Sequence, residues 1–165
     1  MNKVITALPE IKLVGITTRT SNAEIFASGQ STNKITATVQ KYFQDGLAEK
    51  INCRKKAGTT FCVYTNYESD VNGDYTYFIG EEVTSFKGGN EKFETLIIPA
   101  QRYAKFVSQP GPMPIICINL WQNIWKMDEV ELGGERTYVA DFEIYDERSI
   151  NPSTAILDIY IGIRL

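Results

Sequence analysis

Apolar residues change their spacing several times along the chain, and each change marks an element. Ile11 to Thr20 (I-K-L-V-G-I-T-T-R-T) is rich in β-branched residues and predicts a strand, followed by a loop of Ser, Asn and Gly from Ser21 to Thr32. From Asn33 the period becomes helical. Ile35, Val39, Tyr42, Phe43, Gly46 and Leu47 share a stripe roughly 140° wide, with Lys41, Gln44 and Glu49 outside it, which predicts an amphipathic helix capped by Thr32 or Asn33. Thr59 to Asn66 and Tyr75 to Val83 then read as strands, and Asn72-Gly73 between them is a strong hairpin signal.

After the loop around Lys87, Gly88, Gly89 and Asn90 the same grammar returns. Phe93 to Val107 predicts a strand bent near Pro99, Pro114 to Met127 a helix with proline in its first turn, and Arg136 to Tyr145 and Ala155 to Arg164 two more strands. Residues echo as well, Asn66-Tyr67-Glu68 against Ile144-Tyr145-Asp146 and Phe78-Ile79-Gly80 against Tyr160-Ile161-Gly162. The expectation is an α+β fold, a single domain over residues 1–165, built from duplicated strand-helix-strand-strand units of about residues 1–86 and 91–165. Its antiparallel sheet would carry both helices on one face, so the other face needs an occupant.

The second helix is unusually apolar. Asn119, Gln122, Asn123 and Lys126 occupy one narrow polar arc, while Ile116, Cys117, Ile118, Leu120, Trp121, Ile124, Trp125 and Met127 cover roughly 200°, more than one sheet contact can use. Trp121 and Trp125, four residues apart, stack on one flank and either fill the junction between the halves or line a ligand pocket. In the last two strands, alternation puts Leu157, Ile159, Ile161 and Ile163 on a core face with Asp158, Tyr160 and Gly162 opposite. It likewise sets Ala140, Phe142 and Ile144 against Asp141, Glu143 and Tyr145. The face away from the helices would then present Glu143, Tyr145 and Tyr160, as a solvated surface or as a site for a lipophilic cation. In such a site Coulomb attraction strengthens as water is excluded, and each ring face adds about 0.5–2 kcal/mol. Tyr64, and Phe78 at the position echoing Tyr160, would supply the other wall.

Composition narrows the chemistry. The chain has no histidine, which removes imidazole bases, Ser-His and Cys-His pairs and imidazole metal sites. Cys53, Cys62 and Cys117 are odd in number and lack a C-x-x-C pattern, so neither a disulfide framework nor a metal site is expected, and a reducing, cytoplasmic setting fits. No cofactor is implied. A net charge of −3 without a basic stretch argues against direct nucleic-acid binding. The most apolar run, Pro114 to Trp125, is broken by Asn119, Gln122 and Asn123, and no signal layout precedes Glu10, so no membrane association is expected. The 8 Phe, 9 Tyr and 2 Trp divide into an expected core set, including Phe43, Phe61 and Phe142, and an expected groove set around Glu143.

Four motifs in order, the first made of two stretches, resemble the GyrI-like family, which includes the effector-binding domains of AraC-type and MerR-type bacterial transcription activators. They are V-Y-T-N-Y-E-S-D from Val63 with Y-F-I-G-E-E-V from Tyr77, L-W-Q-N-I-W from Leu120, Y-V-A-D-F-E-I-Y-D-E-R from Tyr138, and D-I-Y-I-G-I-R-L from Asp158. The resemblance covers nearly the whole chain from Ile11. It implies two pseudo-symmetric units with a ligand groove between them, multidrug-type binding of lipophilic or cationic aromatic compounds, and a central glutamate matching Glu143. The aromatic positions around that glutamate match Tyr64, Trp121, Trp125, Tyr145 and Tyr160. Members that regulate transcription directly carry a preceding helix-turn-helix domain, and the first strand here starts too near Met1 for one, so a stand-alone effector-binding protein, monomeric or weakly dimeric, is expected.

The leading expectation is therefore a receptor or sequestering protein for a lipophilic, cationic aromatic molecule. The alternatives are a hydrolase of reactive cyclopropane-type compounds, as some stand-alone relatives resemble, with Glu143 activating water, and a protein-binding inhibitor using Glu81, Glu82, Glu129, Glu131 and Glu135. With no second acid or nucleophile evident, no catalytic residue is assigned and binding is favoured over catalysis.

Overall fold

A computed structural model describes residues 3–29 and 33–165 of the chain. The elements are β1 (Lys3–Leu8), β2 (Ile11–Ser21), α1 (Asn22–Ser28), α2 (Lys34–Gln44), β3 (Thr60–Thr65), β4 (Asp74–Glu82), β5 (Glu94–Ile98) and β6 (Gln101–Val107). They continue with α3 (Ile115–Trp125), α4 (Glu129–Leu132), β7 (Glu135–Arg136), β8 (Ala140–Tyr145) and β9 (Asp158–Arg164). All strand pairings are antiparallel, in the order β1-β6-β9-β8-β3-β4-β2-β5, with β7 also on β9. Within this order β2-α2-β3-β4 and β6-α3-β8-β9 each end in a hairpin, and the hairpins meet at β3:β8.

The outer pairs β1:β6 and β2:β5 are consecutive lengths of one ribbon. Leu8 faces Gln101 and Ile11 faces Ile98, so the register carries through the breaks at Pro9-Glu10 and Pro99-Ala100. Proline cannot donate to a ladder, which accounts for the interruption and for Phe93 to Val107 forming two strands with different neighbours. The sheet therefore curls, and its concave face is filled by its own side chains: Leu13, Phe61, Val63, Phe78, Tyr103, Phe142 and Tyr160 among others. Phe142 and Tyr160 stack there at 4.8 Å between ring centroids. The missing occupant of the second face is the sheet itself.

Both long helices lie on the convex face. α2 packs over Val14, Cys62, Tyr75, Tyr77 and Ile79, and α3 over Phe106, Ile159, Ile161 and Ile163. Asn33 is the α2 cap, its side chain accepting from the Thr36 amide at 2.8 Å; Thr32 lies outside the described residues. On α2 the buried residue is Tyr42, whereas Phe43 is 59% exposed, correcting its place in the core: the sheet takes the centre of the apolar stripe and leaves its margin to solvent.

The expected loop from Ser21 instead holds α1. Ser21 caps it by accepting from the Glu24 amide, but none of its residues is buried, so it has no amphipathic period to read. β1 and α4 were likewise not expected. Arg136 to Tyr145 divides into β7 and β8 around Tyr138, whose φ is +53°, and β9 begins only at Asp158. Glu81, expected at the surface, is buried and paired with Arg54 at 3.6 Å, because it follows Tyr75, Tyr77 and Ile79 on the helix-facing side of β4.

Gly15 and Gly80 face each other where β2 crosses β4. A methyl group added at Gly80 would run into the Val14 carbonyl oxygen, and one at Gly15 into that of Ile79, so the two backbones meet closer than any side chain allows. Gly80→Ala should destabilise the protein by about 3 kcal/mol or more, through displaced backbone rather than lost contacts. A thermal melt should show the midpoint falling by roughly 6–12 °C; an unchanged midpoint would mean that the crossing is not this tight.

Candidate functional site

Glu143 lies in the middle of β8 and is 4% exposed. Strand register decides where it points: it pairs with Cys62 on β3 and Ile159 on β9, both on the helix-bearing face. This corrects the expected placement of Glu143 and Tyr145 away from the helices. Alternation separates the two faces within each strand, but it does not say which alternating set of β8 matches which set of β9. Phe142 pairs with Tyr160, so Tyr160 lies on the concave side, away from the helices and apart from Glu143.

Glu143 accepts three hydrogen bonds. Its Oε2 takes the Tyr64 hydroxyl at 2.8 Å and the Trp121 indole N–H at 2.7 Å, and its Oε1 takes the Tyr145 hydroxyl at 2.6 Å. Hydrogen bonds to a carboxylate of this kind are worth about 1.5–3 kcal/mol each. Burial, and next the neighbouring carboxylate, hold the Tyr64 and Tyr145 phenols well above the ordinary tyrosine range, so both remain protonated donors. The same two causes raise the Cys117 thiol, whose sulfur is 3.4 Å from the Tyr145 hydroxyl, and leave it poorly suited as a nucleophile.

No basic side chain lies within ion-pair distance of Glu143 among the described residues. The other buried carboxylates differ: Asp141 is held by Arg136 at 2.6 Å, Asp158 by Arg148 at 2.9 Å and Lys105 at 3.8 Å, and Glu81 by Arg54. Asp141, two residues before Glu143 on the same face, also accepts from the Tyr67 hydroxyl at 2.6 Å and the Gly162 amide at 2.8 Å. It is a saturated structural ion pair, whereas Glu143 keeps an uncompensated charge when ionised.

Above this carboxylate a cleft of about 610 Å³ runs between α1 and α2 on one side and α3 on the other. Tyr64, Tyr75, Trp121 and Trp125 line it, together with Ile35, Val39, Cys117 and Ile118. The Tyr64 ring lies 5.2 Å from Trp121, 5.6 Å from Tyr75 and 5.4 Å from Tyr77, edge-on or tilted in each case. The wide apolar surface of α3 is thereby divided: Leu120 and Ile124 pack on the sheet, while Cys117, Ile118, Trp121 and Trp125 face the cleft.

The structure thus brings Glu143, Tyr64, Trp121 and Tyr145 together, with Trp125 one helical turn further out at 6.1 Å from Trp121. Tyr160 and Phe78 are buried in the concave core, on the other side of the sheet. Sequence reasoning missed Tyr75, Tyr77 and Phe26. Tyr77 pairs with Tyr64 across the hairpin, a register hidden by the long connection from Asn66 to Gly73. Among the described residues no cluster of three or more His, Cys, Asp or Glu side chains could hold a metal ion, and no helix is long and apolar enough to cross a membrane.

The family described as Cass2, integron-associated effector binding protein, matches residues 4–163. YobU of Bacillus subtilis (strain 168) is 31% identical over 162 residues, covering 97% of this chain and 96% of its own. Among solved structures, the integron cassette protein VCH_CASS2 from the mobile metagenome of Vibrio cholerae aligns with a TM-score of 0.75 at 24% identity, over 98% of this chain and 95% of that one. SAV2435, solved bound to tetraphenylphosphonium, aligns with a TM-score of 0.79 at 15% identity, over 99% and 94%. The two structural alignments support the fold, and the match along nearly the whole sequence meets the expected GyrI-like resemblance: the chain belongs to the Cass2 family of integron-associated effector-binding proteins.

Proposed function

We infer that the protein binds a lipophilic cation bearing aromatic groups in the cleft between the helices, with Glu143 as the negative pole of the site. The observation that carries this reading is the state of Glu143: a buried carboxylate satisfied by neutral donors alone, beneath the aromatic floor of an apolar cleft. Water excluded by a ligand no longer screens that charge, so attraction to a cation grows as the cleft fills. Ring surfaces of Tyr64, Tyr75, Trp121 and Trp125 add dispersion and cation–π contact. Tetraphenylphosphonium in SAV2435 is a ligand of this chemical class.

Glu143 is 4% exposed beneath Tyr64 and Trp121, so the ligand meets their rings first and the carboxylate through or between them. Trp125 is the outer wall. Tyr145 holds the second carboxylate oxygen, and Tyr160 and Phe78 act on the site only through the sheet behind it. The receptor or sequestering role fits a family of effector-binding proteins.

Titration with tetraphenylphosphonium, followed by tryptophan fluorescence, tests the charge. Glu143→Gln should weaken binding by about tenfold to a hundredfold, the range for losing one buried charge partner. Affinity for the neutral triphenylphosphine oxide should stay the same in both proteins. Equal affinity of wild type and variant for the cation would overturn recognition by charge. In the free protein, Tyr145→Phe should cost about 1–3 kcal/mol in urea denaturation, because one oxygen of a buried carboxylate loses its donor. A stability within a few tenths of wild type would mean that the Tyr145 bond to Glu143 is not formed.

A further inference from the structure

The cleft has an outer end that the sequence did not reveal. Phe26 on α1 reaches across it to Trp125 on α3, edge-on with ring centroids 6.1 Å apart. These rings are 68% and 42% exposed, so the contact sits at the rim, and it joins an element of the first half to one of the second. None of the residues of α1 is buried. The helix is tied down by polar links: Asn22 accepts from the Tyr75 hydroxyl and donates to the Val71 carbonyl, each at 3.1 Å, and Glu24 pairs with Lys34 at 2.9 Å. Tyr75 in turn packs on Tyr64, the donor to Glu143.

We propose that Phe26, by closing the cleft rim against Trp125, is the residue that sets how bulky a ligand the site admits; this rests on the cleft being the binding site. A flat cation about 3.5 Å thick can reach Tyr64 and Trp121 along the stretch between α2 and α3, lined by Ile35, Val39 and Ile118. A ligand whose rings stand out of one plane also needs the Phe26–Trp125 end, and must part the two rings to enter. Parting them costs one edge-to-face contact at the surface and disturbs no buried residue of α1, so the rim discriminates by girth without loosening the fold.

Two measurements on Phe26→Ala test this, with Phe43→Ala as a control for an exposed ring away from the cleft. In the free protein, acrylamide quenching of tryptophan fluorescence should rise in Phe26→Ala and not in Phe43→Ala, since Trp125 loses its cover. In stopped-flow binding, the association rate of tetraphenylphosphonium should rise about tenfold in Phe26→Ala, the order of one lost ring contact, while that of the planar N-methylacridinium changes less than twofold. Unchanged quenching, or rates that shift equally for both probes or for neither, would overturn the role of Phe26. Failure of the wild type to bind either probe would instead overturn the binding site on which that role depends.

Discussion

The carboxylate of Glu143 is the point on which the convex face is organised. Its three donors come from three elements: Tyr64 from β3 in the first half, and Trp121 from α3 and Tyr145 from β8 in the second. Each bond fixes something beyond itself. The indole N–H can reach Oε2 only in one roll of α3 about its axis, and that roll turns Cys117, Ile118 and Trp125 outward while Leu120 and Ile124 face the sheet. The Tyr64 bond draws the first half onto the same oxygen. A hydrophobic residue at position 143 could pack there, but it would leave the Tyr64, Tyr145 and Trp121 donors buried without partners. Of the four buried carboxylates among the described residues, Glu81, Asp141, Glu143 and Asp158, three are paired with arginine, and the exception is the one beneath the cleft.

An aromatic-Ile-Gly triplet occurs in the last strand of each hairpin, in β4 and in β9. In Phe78-Ile79-Gly80 and Tyr160-Ile161-Gly162 the isoleucine faces a helix, while the aromatic residue and the glycine face the concave side. The aromatic ring fills the hollow of the curled sheet. The glycine next to it leaves room for a close neighbour: backbone of β2 at Gly80, and the side chains of Gln101 and Thr137 at Gly162. One short pattern thus provides both the filling and the clearance that the curl needs, once in each half.

Most of the strand and helix order was legible because it rests on spacing within an element. The β3–β4 hairpin, the α2 cap at Asn33 and the overloaded apolar face of α3 are all local signals, and each appears in the structure, although the hairpin closes through a long connection and not through a tight Asn72-Gly73 turn, since neither residue has a positive φ. Relations between elements were harder to read. Glu143 and Tyr160 were assigned to one face because their strands alternate in the same way, yet a single step of register between β8 and β9 sets them on opposite faces. α1 and β1 escaped notice for a different reason. Neither contributes a fully buried side chain, so neither carries the hydrophobic rhythm by which elements are recognised.

The ribbon that joins β1:β6 to β2:β5 has a mechanical consequence. Because the same two stretches of chain pair at both ends of the sheet order, the halves cannot swing apart about a hinge without breaking that ladder. The base under Glu143 is a closed frame. Under the proposed reading, guests of different size are accommodated above this frame, by displacement of helices and side chains, while β3 and β8 keep their register beneath Glu143.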